Sequence, residues 1–168
     1  MLSYKQQEEA YKSLIQILKD FDFGNDLEAC ITEWNPNKAM YGFPHSYNLA
    51  IRYLNYGKSD IDLIFYLDDE GRWNKVEIMN IDIDSKYQRT GLGRRLIEST
   101  IALSKAVGVK KIYGQALDNE YDSSVGFYEK CGFVRSHNIP NFFTDNYDHP
   151  IYECGVQLID MVYLQRCL

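Results

Sequence analysis

The chain reads as a mixed α/β protein of one domain, residues 1–168, and three features carry that reading. Apolar runs of strand length, Tyr47–Asn55, Ile61–Leu67, Asn74–Ile83 and Lys111–Leu117, are interleaved with segments whose apolar residues recur at helical spacing. Glycine and aspartate clusters punctuate the runs and set the turns between them. A length of 168 residues, 45% apolar and 25% charged, suits a single globular core. No repeat or low-complexity linker interrupts the pattern.

Taken in order, Ser3–Phe21 is amphipathic: Tyr4, Tyr11, Leu14, Ile15 and Leu18 share one face, while Lys5, Glu9, Lys12 and Lys19 lie elsewhere. Ser3 suits the N-cap, and Gly24 with Asn25 ends the region. Asp26–Asn35 is ambiguous, a second short helix being one reading. Asn35-Pro36-Asn37 and Gly42-Phe43-Pro44 are loop signals. The three strand runs that follow are joined at Tyr56-Gly57-Lys58-Ser59 and Asp68-Asp69-Glu70-Gly71, turns that suit an antiparallel meander. Leu92, Leu96, Ile97, Ile101 and Val107 then mark a helix that stops at Gly108. After the strand Lys111–Leu117, Asp122 or Ser123 caps a short helix to Lys130. Phe133–Ser136 begins another strand, and Gly155–Arg166 supplies a final one on Val156, Leu158, Val162 and Leu164.

Chemistry first becomes legible at Tyr87–Glu98, YQRTGLGRRLIE. A strand-like run, Val76–Ile83, precedes it and a helix follows. Strand, glycine loop and helix together aim free backbone N–H groups at one spot, and the helix adds its unpaired first-turn donors and positive dipole end. Such a corner binds anions, phosphate first among them. A side chain at Gly91 or Gly93 would obstruct a ligand approaching the backbone. The dinucleotide fingerprint is ruled out, because position 96 is Leu where a third glycine is needed. The P-loop is ruled out because Arg94-Arg95 follows Gly93.

The segment resembles the acyl-CoA-binding signature of the GNAT superfamily of N-acyltransferases, Gln/Arg-x-x-Gly-x-Gly/Ala, filled by Gln88, Gly91 and Gly93. A second stretch, Ser123–Phe133 (SSVGFYEKCGF), resembles another motif of that superfamily, a short helix ending Tyr-x-x-x-Gly-Phe, with Tyr128 and Gly132-Phe133 in place. The order, the spacing and the intervening βα pattern agree, most clearly over Trp73–Phe133. The resemblance implies a GNAT-type fold: a central, mostly antiparallel sheet with a parallel splayed pair at the acyl-CoA site, flanked by helices. Since that superfamily commonly opens with a strand, the first strand here is expected to be short or absent.

The resemblance further implies an acetyl-CoA-dependent N-acetyltransferase in which a primary amine of a small molecule, peptide or protein attacks the thioester directly. Acetyl-CoA enters as the acyl donor and no metal is required. The backbone of Gln88, Arg89, Thr90, Gly91, Leu92, Gly93 and Arg94 would hold the pyrophosphate, with Arg94 and Arg95 adding charge unless one of them is a solvated surface residue. Ile81, Asp82 and Ile83 would pair with the pantetheine arm and polarise the thioester carbonyl. Glu77 is the candidate general base; strand parity groups it with Met79, Ile81 and Ile83 unless a bulge shifts the register, and Asp82, Asp84 or water are the rivals. Tyr128 is the candidate general acid toward the sulfur, or else a core aromatic beside Phe127. Ser124 replaces a common Ala, and the usual Asn is replaced by Asp122 or displaced to Asn119, the remaining cofactor contact. The acceptor site would draw on Phe21–His45 and on His137–Pro150, where Phe142, Phe143, Asp145, Tyr147 and Asp148 suit an ammonium group. A catalytically silent acyl-CoA-binding or interaction module on the same fold is the alternative.

Eighteen basic against 24 acidic residues give a net charge of −6, which argues against nonspecific nucleic-acid or anionic-membrane binding and is compatible with cationic substrates. Cys30, Cys131, Cys154 and Cys167 form no CxxC pair, and His149 with Cys154 lacks a regular zinc spacing. The N-terminus carries Lys5, Glu8, Glu9 and Lys12 instead of an apolar leader, and no run approaches the ~20 apolar residues of a membrane span. A reduced, cytoplasmic setting is expected, with a monomer or homodimer as the working unit.

Overall fold

A computed structural model of the chain describes residues 2–33, 46–117, 124–153 and 155–168. The N-terminal helix, α1 (Tyr4–Asp20), begins at Ser3, whose hydroxyl accepts from the Gln6 N–H while the Gln6 side chain accepts from the Ser3 N–H. This capping box satisfies two of the donors that a helix start leaves open. The buried stripe runs through Gln7, Ala10 and Leu14, so Tyr4, expected on that face, is exposed.

Within the segment 26–35, for which a helix was one reading, Leu27–Glu33 is instead a strand, β1. It pairs antiparallel with β2 (Ser46–Tyr53), so the first strand, expected to be short or absent, is present with seven residues. β2 pairs with β3 (Asp60–Leu67), and β3 with β4 (Trp73–Asp82), all antiparallel, giving the expected meander. A 16-residue helix, α2 (Leu92–Val107), follows the glycine loop and stops at left-handed Gly108. Then come β5 (Lys111–Leu117), α3 (Ser124–Lys130), β6 (Val134–Ile139), α4 (Phe142–Asn146), β7 (Tyr152–Glu153), β8 (Val156–Gln157) and β9 (Met161–Cys167). The expected last strand is thus broken in two. Between its halves the Asp160 carboxylate accepts from the Asn141 N–H at 2.9 Å, and the Leu158 N–H is spent on the Ile151 carbonyl. The expected fold class holds: the seven-stranded sheet has the order β1-β2-β3-β4-β5-β9-β6, mostly antiparallel with β4–β5 as its parallel pair, and helices flank it.

Two compact units divide the chain, residues 1–112 with Leu168 and residues 113–167. In the first, register decides what each face carries. Tyr47, Leu49 and Ile51 of β2 pair across with Phe65, Leu63 and Ile61 of β3, and those with Val76, Ile78 and Ile81 of β4. All but Ile81 are buried, and α1 and α2 lie on this face. Tyr47 stacks on Tyr11 of α1 and donates its hydroxyl to the Gln7 carbonyl at 2.9 Å. Tyr53 donates to the Leu92 carbonyl at the start of α2, also at 2.9 Å. Each fully buried aliphatic side chain contributes about 1.5–3 kcal/mol through removal from water. The opposite face carries Ala50 and Arg52, then Tyr66, Ile64, Asp62 and Asp60, then Lys75, Glu77, Asn80 and Asp82.

In the second unit α3 ends where Gly132 turns left-handed (φ 86°) and the Phe133 N–H reaches back to the Tyr128 carbonyl at 3.0 Å. This closure meets the last carbonyls of the helix. An added Cβ at Gly132 would lie 2.9 Å from the Arg166 guanidinium, which donates to the Cys131 carbonyl. Gly132 is therefore required by both conformation and space.

Candidate active site

Between β4 and α2 the chain is held by its own polar groups. The Asp84 carboxylate accepts from the Lys86 N–H at 3.0 Å and so caps a 3-10 turn, Ser85–Tyr87. The Asp84 N–H donates to the buried Ser59 hydroxyl at 2.9 Å, and that hydroxyl donates to the Tyr56 carbonyl at 2.7 Å. Gln88 folds back to donate its amide to the Ile83 carbonyl at 3.2 Å, and the Thr90 hydroxyl donates to the Tyr87 carbonyl. Arg89 and Gly91 are both left-handed, at φ 61° and 87°. An added Cβ at Gly91 would meet nothing within 4 Å. Gly91 is thus required by its backbone angle, and the space beside it is open to a ligand.

Helix α2 starts against that space. Its first intrahelical bond runs from the Arg95 N–H to the Gly91 carbonyl at 3.1 Å, so the amides of Leu92, Gly93 and Arg94 lie ahead of it. No acidic side chain sits in the first turn to compete for them. The two arginines take different partners. Arg94 pairs with Glu98 at 3.4 Å on the exposed helix surface. Arg95 forms a two-pronged bond to Asp26, at 2.9 and 3.1 Å, and lies over the Tyr53 ring. The Arg95 hydrogen bond holds the Asp26 carboxyl below the ordinary range, burial opposing it. Arg95 thus ties α2 to the entrance of β1.

On β4 the expected parity of Glu77 is overturned. The pairing with β3 slips between Asp62 and Leu63, opposite which β4 passes from Asn80 to Ile78, leaving Met79 as an extra, exposed residue. This bulge turns Ile81 onto the core face with Ile78, and groups Glu77 with Asn80 and Asp82. Asp82, expected on the opposite side, therefore shares the face of Glu77, while Asp84 is occupied in its cap. Half-buried Glu77 accepts from the Tyr66 hydroxyl at 2.9 Å. Further along the face, Asp60 lies opposite Asp82 and two residues from Asp62. Burial, then the charges of Asp62 and Asp82, pushes the Asp60 carboxyl up.

Tyr128 lies in the second unit, buried, with its ring 5.2 Å from Phe133 and 5.7 Å from Phe127. It rests over Gly114 of β5: a Cβ there would stand 2.8 Å from its ring. Asn119, Asp122, Ser123 and the loop signals at Asn35-Pro36-Asn37 and Gly42-Phe43-Pro44 lie outside the described residues. The aromatic segment expected to line the acceptor site is no simple loop. β6 runs to Ile139 and α4 follows, where Phe143 is buried with Leu158 and Met161 and Phe142 packs beside them. Phe143 is core, and Phe142 is partly buried against it. Asp145, Tyr147 and Asp148 are exposed. Sequence reasoning missed Tyr66 and Gly114. The turn Asp68–Gly71 was the available signal for Tyr66, because it fixes the hairpin register that sets β3 beside Glu77.

Residues 63–133 match the model of the acetyltransferase (GNAT) family. This segment belongs to that family. It contains Glu77, the glycine loop, α2 and Tyr128. An uncharacterized N-acetyltransferase of Bacillus subtilis, YvbK, is 35% identical over 89 residues, 53% of this chain and 57% of that protein. The match thus spans little more than half the length of that curated relative. Among solved structures, a B. subtilis acetyltransferase in complex with CoA is 25% identical, with a TM-score of 0.59 over 73% of this chain and 77% of its own. A GNAT family acetyltransferase from Elizabethkingia anophelis with acetyl-CoA bound shares the fold, with a TM-score of 0.62 at 22% identity over 86% of this chain and 100% of its own. Among the described residues no helix is long and apolar enough to cross a membrane.

Proposed function

We propose that this chain, acting as one domain, is an acetyl-CoA-dependent N-acetyltransferase that passes the acetyl group directly to a primary amine. The observation that carries this reading is the corner after β4. Left-handed Arg89 and Gly91 lead into α2, whose first amides lie ahead of the first intrahelical bond beside open space. Amides in this arrangement suit a pyrophosphate. The solved relatives with CoA and acetyl-CoA bound support the same ligand.

In this reading Gln88–Arg94 bind the pyrophosphate, and Asn119 is a further contact. The backbone of Ile81–Ile83, just past the bulge, donates to the thioester oxygen as charge gathers there. Glu77 takes a proton from the acceptor ammonium, and the freed amine attacks the thioester carbon. The C–N bond forms as the C–S bond breaks; Tyr128 gives the departing sulfur its proton and is restored by the second proton that leaves the nitrogen through solvent, and Glu77 returns its own proton to solvent. Products are the amide and the free thiol. The acceptor is a cation before it reacts, and the carboxylates Glu77, Asp82, Asp62 and Asp60 on one sheet face suit its approach.

Calorimetry and melting curves with acetyl-CoA, without added metal, test the ligand. At ~100 times its dissociation constant the ligand should stabilise the protein by about 2.7 kcal/mol. An unchanged melting curve with no binding heat would remove the assignment of the glycine loop.

A further inference from the structure

We propose that Tyr66 is a positioning residue for Glu77: its buried phenol fixes the carboxylate so that the second oxygen is presented to the acceptor amine. The proposal rests on the assignment of Glu77 as general base. Glu77 sits on a sheet face with three rotatable side-chain bonds, so without a tether its carboxylate samples many positions. Holding such a side chain costs rotamer freedom, which a base must otherwise supply at each turnover. The structure provides the tether in advance. Tyr66 pairs with Lys75 across the β3–β4 ladder and Ile64 pairs with Glu77, which makes Tyr66 and Glu77 diagonal neighbours on one face. The Tyr66 hydroxyl donates to Glu77 Oε2 at 2.9 Å.

Tyr66 can serve as a fixed post because it is itself immobilised. It is 6% exposed, and the Lys75 ammonium lies 4.7 Å from its ring centroid. A phenol is a stiff donor, with its oxygen fixed once the ring is packed. With Oε2 occupied, Oε1 is left to take the amine proton. Carbon skeleton and packing are identical in Tyr and Phe, so Tyr66→Phe removes the tether and little else.

The test is a four-way comparison of wild type, Tyr66→Phe, Glu77→Gln and the double variant, with kcat and the acetyl-CoA KM measured for each and folding checked by melting curve. Tyr66→Phe is expected to lower kcat by about 10–100-fold, the range for a misplaced catalytic group, with acetyl-CoA KM unchanged. Glu77→Gln should lower kcat by roughly 10²–10⁴. In the Glu77→Gln background, Tyr66→Phe should cost nothing further, because the post has lost what it positions. A purely structural Tyr66 would instead reduce activity equally in both backgrounds, which overturns the proposal. Wild-type kcat in Tyr66→Phe alongside an impaired Glu77→Gln also overturns it while sparing the base assignment. Wild-type kcat in Glu77→Gln removes that assignment, and the proposal with it.

Discussion

Replacing Gly114 with alanine gives a sign test of where Tyr128 sits. Gly114 lies within β5 and has no positive φ, so its backbone accepts alanine. In open space such a change stabilises a protein by about 0.4–1 kcal/mol, by restricting the unfolded chain. Here the new Cβ would stand 2.8 Å from Tyr128 Cε1 and 2.9 Å from Cζ. Carbon atoms settle at about 3.5–4.0 Å, so the ring must retreat by roughly 0.7 Å. Phe127 and Phe133 flank it and Tyr128 is 5% exposed, which leaves little room for that movement. Overpacking of this kind costs about 1–3 kcal/mol and exceeds the entropic gain. Gly114→Ala should therefore destabilise the protein in urea unfolding with an unchanged m-value. Under the proposed role of Tyr128 it should also lower kcat by ~10-fold or more, since a displaced proton donor is misaligned with its acceptor. A variant at least as stable as wild type, with full turnover, would refute both the close seating of the ring and its need for accurate placement.

Other consequences are open to measurement. Gly91→Val places a branched side chain at φ 87°, costing about 1–2 kcal/mol of backbone strain; calorimetry should find acetyl-CoA binding abolished while circular dichroism finds the fold retained. Ser3→Ala removes the cap of α1 and should cost ~1 kcal/mol in denaturant unfolding, with kcat unaltered. Asp26→Asn breaks the bond to Arg95. Because that bond holds the folded-state pKa of Asp26 below its unfolded value, its stabilisation is full above the unfolded pKa and is lost as pH falls through the folded one. The melting temperature of Asp26→Asn should thus lie below wild type at pH 7 and converge with it as the pH falls through the lowered pKa of Asp26.

Most of the fold was legible because local signals and tertiary contacts agree. Ser3, Gly108 and Gly132 mark helix ends through their own chemistry, and α2 and β5 have their expected bounds. Where the sequence misled, tertiary pairing decided. The residues of β1, LEACITE, mix Glu and Ala with Ile and Thr, so propensity is indifferent and only the ladder with β2 makes them a strand. The bulge at Met79 is invisible to alternation, because apolar Met leaves no gap in the pattern even though it is exposed. That one extra residue moved Asp82 onto the face of Glu77 and turned Ile81 away. Phe142 and Phe143 read as a ligand-facing pair because an aromatic cluster looks alike whether it meets a substrate or a core. At the glycine loop the motif marked Gly91, but its left-handed angle, a reason independent of any ligand, has no signature in the sequence pattern.

Acetyl transfer itself is measured most directly by thiol release from acetyl-CoA across a panel of primary amines, followed in a single turnover for wild type and Tyr128→Phe. Stoichiometric thiol and N-acetylated product are expected with at least one amine, with a single-turnover rate lower by ~10²-fold in the variant, in which only the hydroxyl is lost. Acetyl-CoA bound but never consumed with any amine would contradict the account and leave a binding module. An equal single-turnover rate in the two proteins would contradict the role of Tyr128.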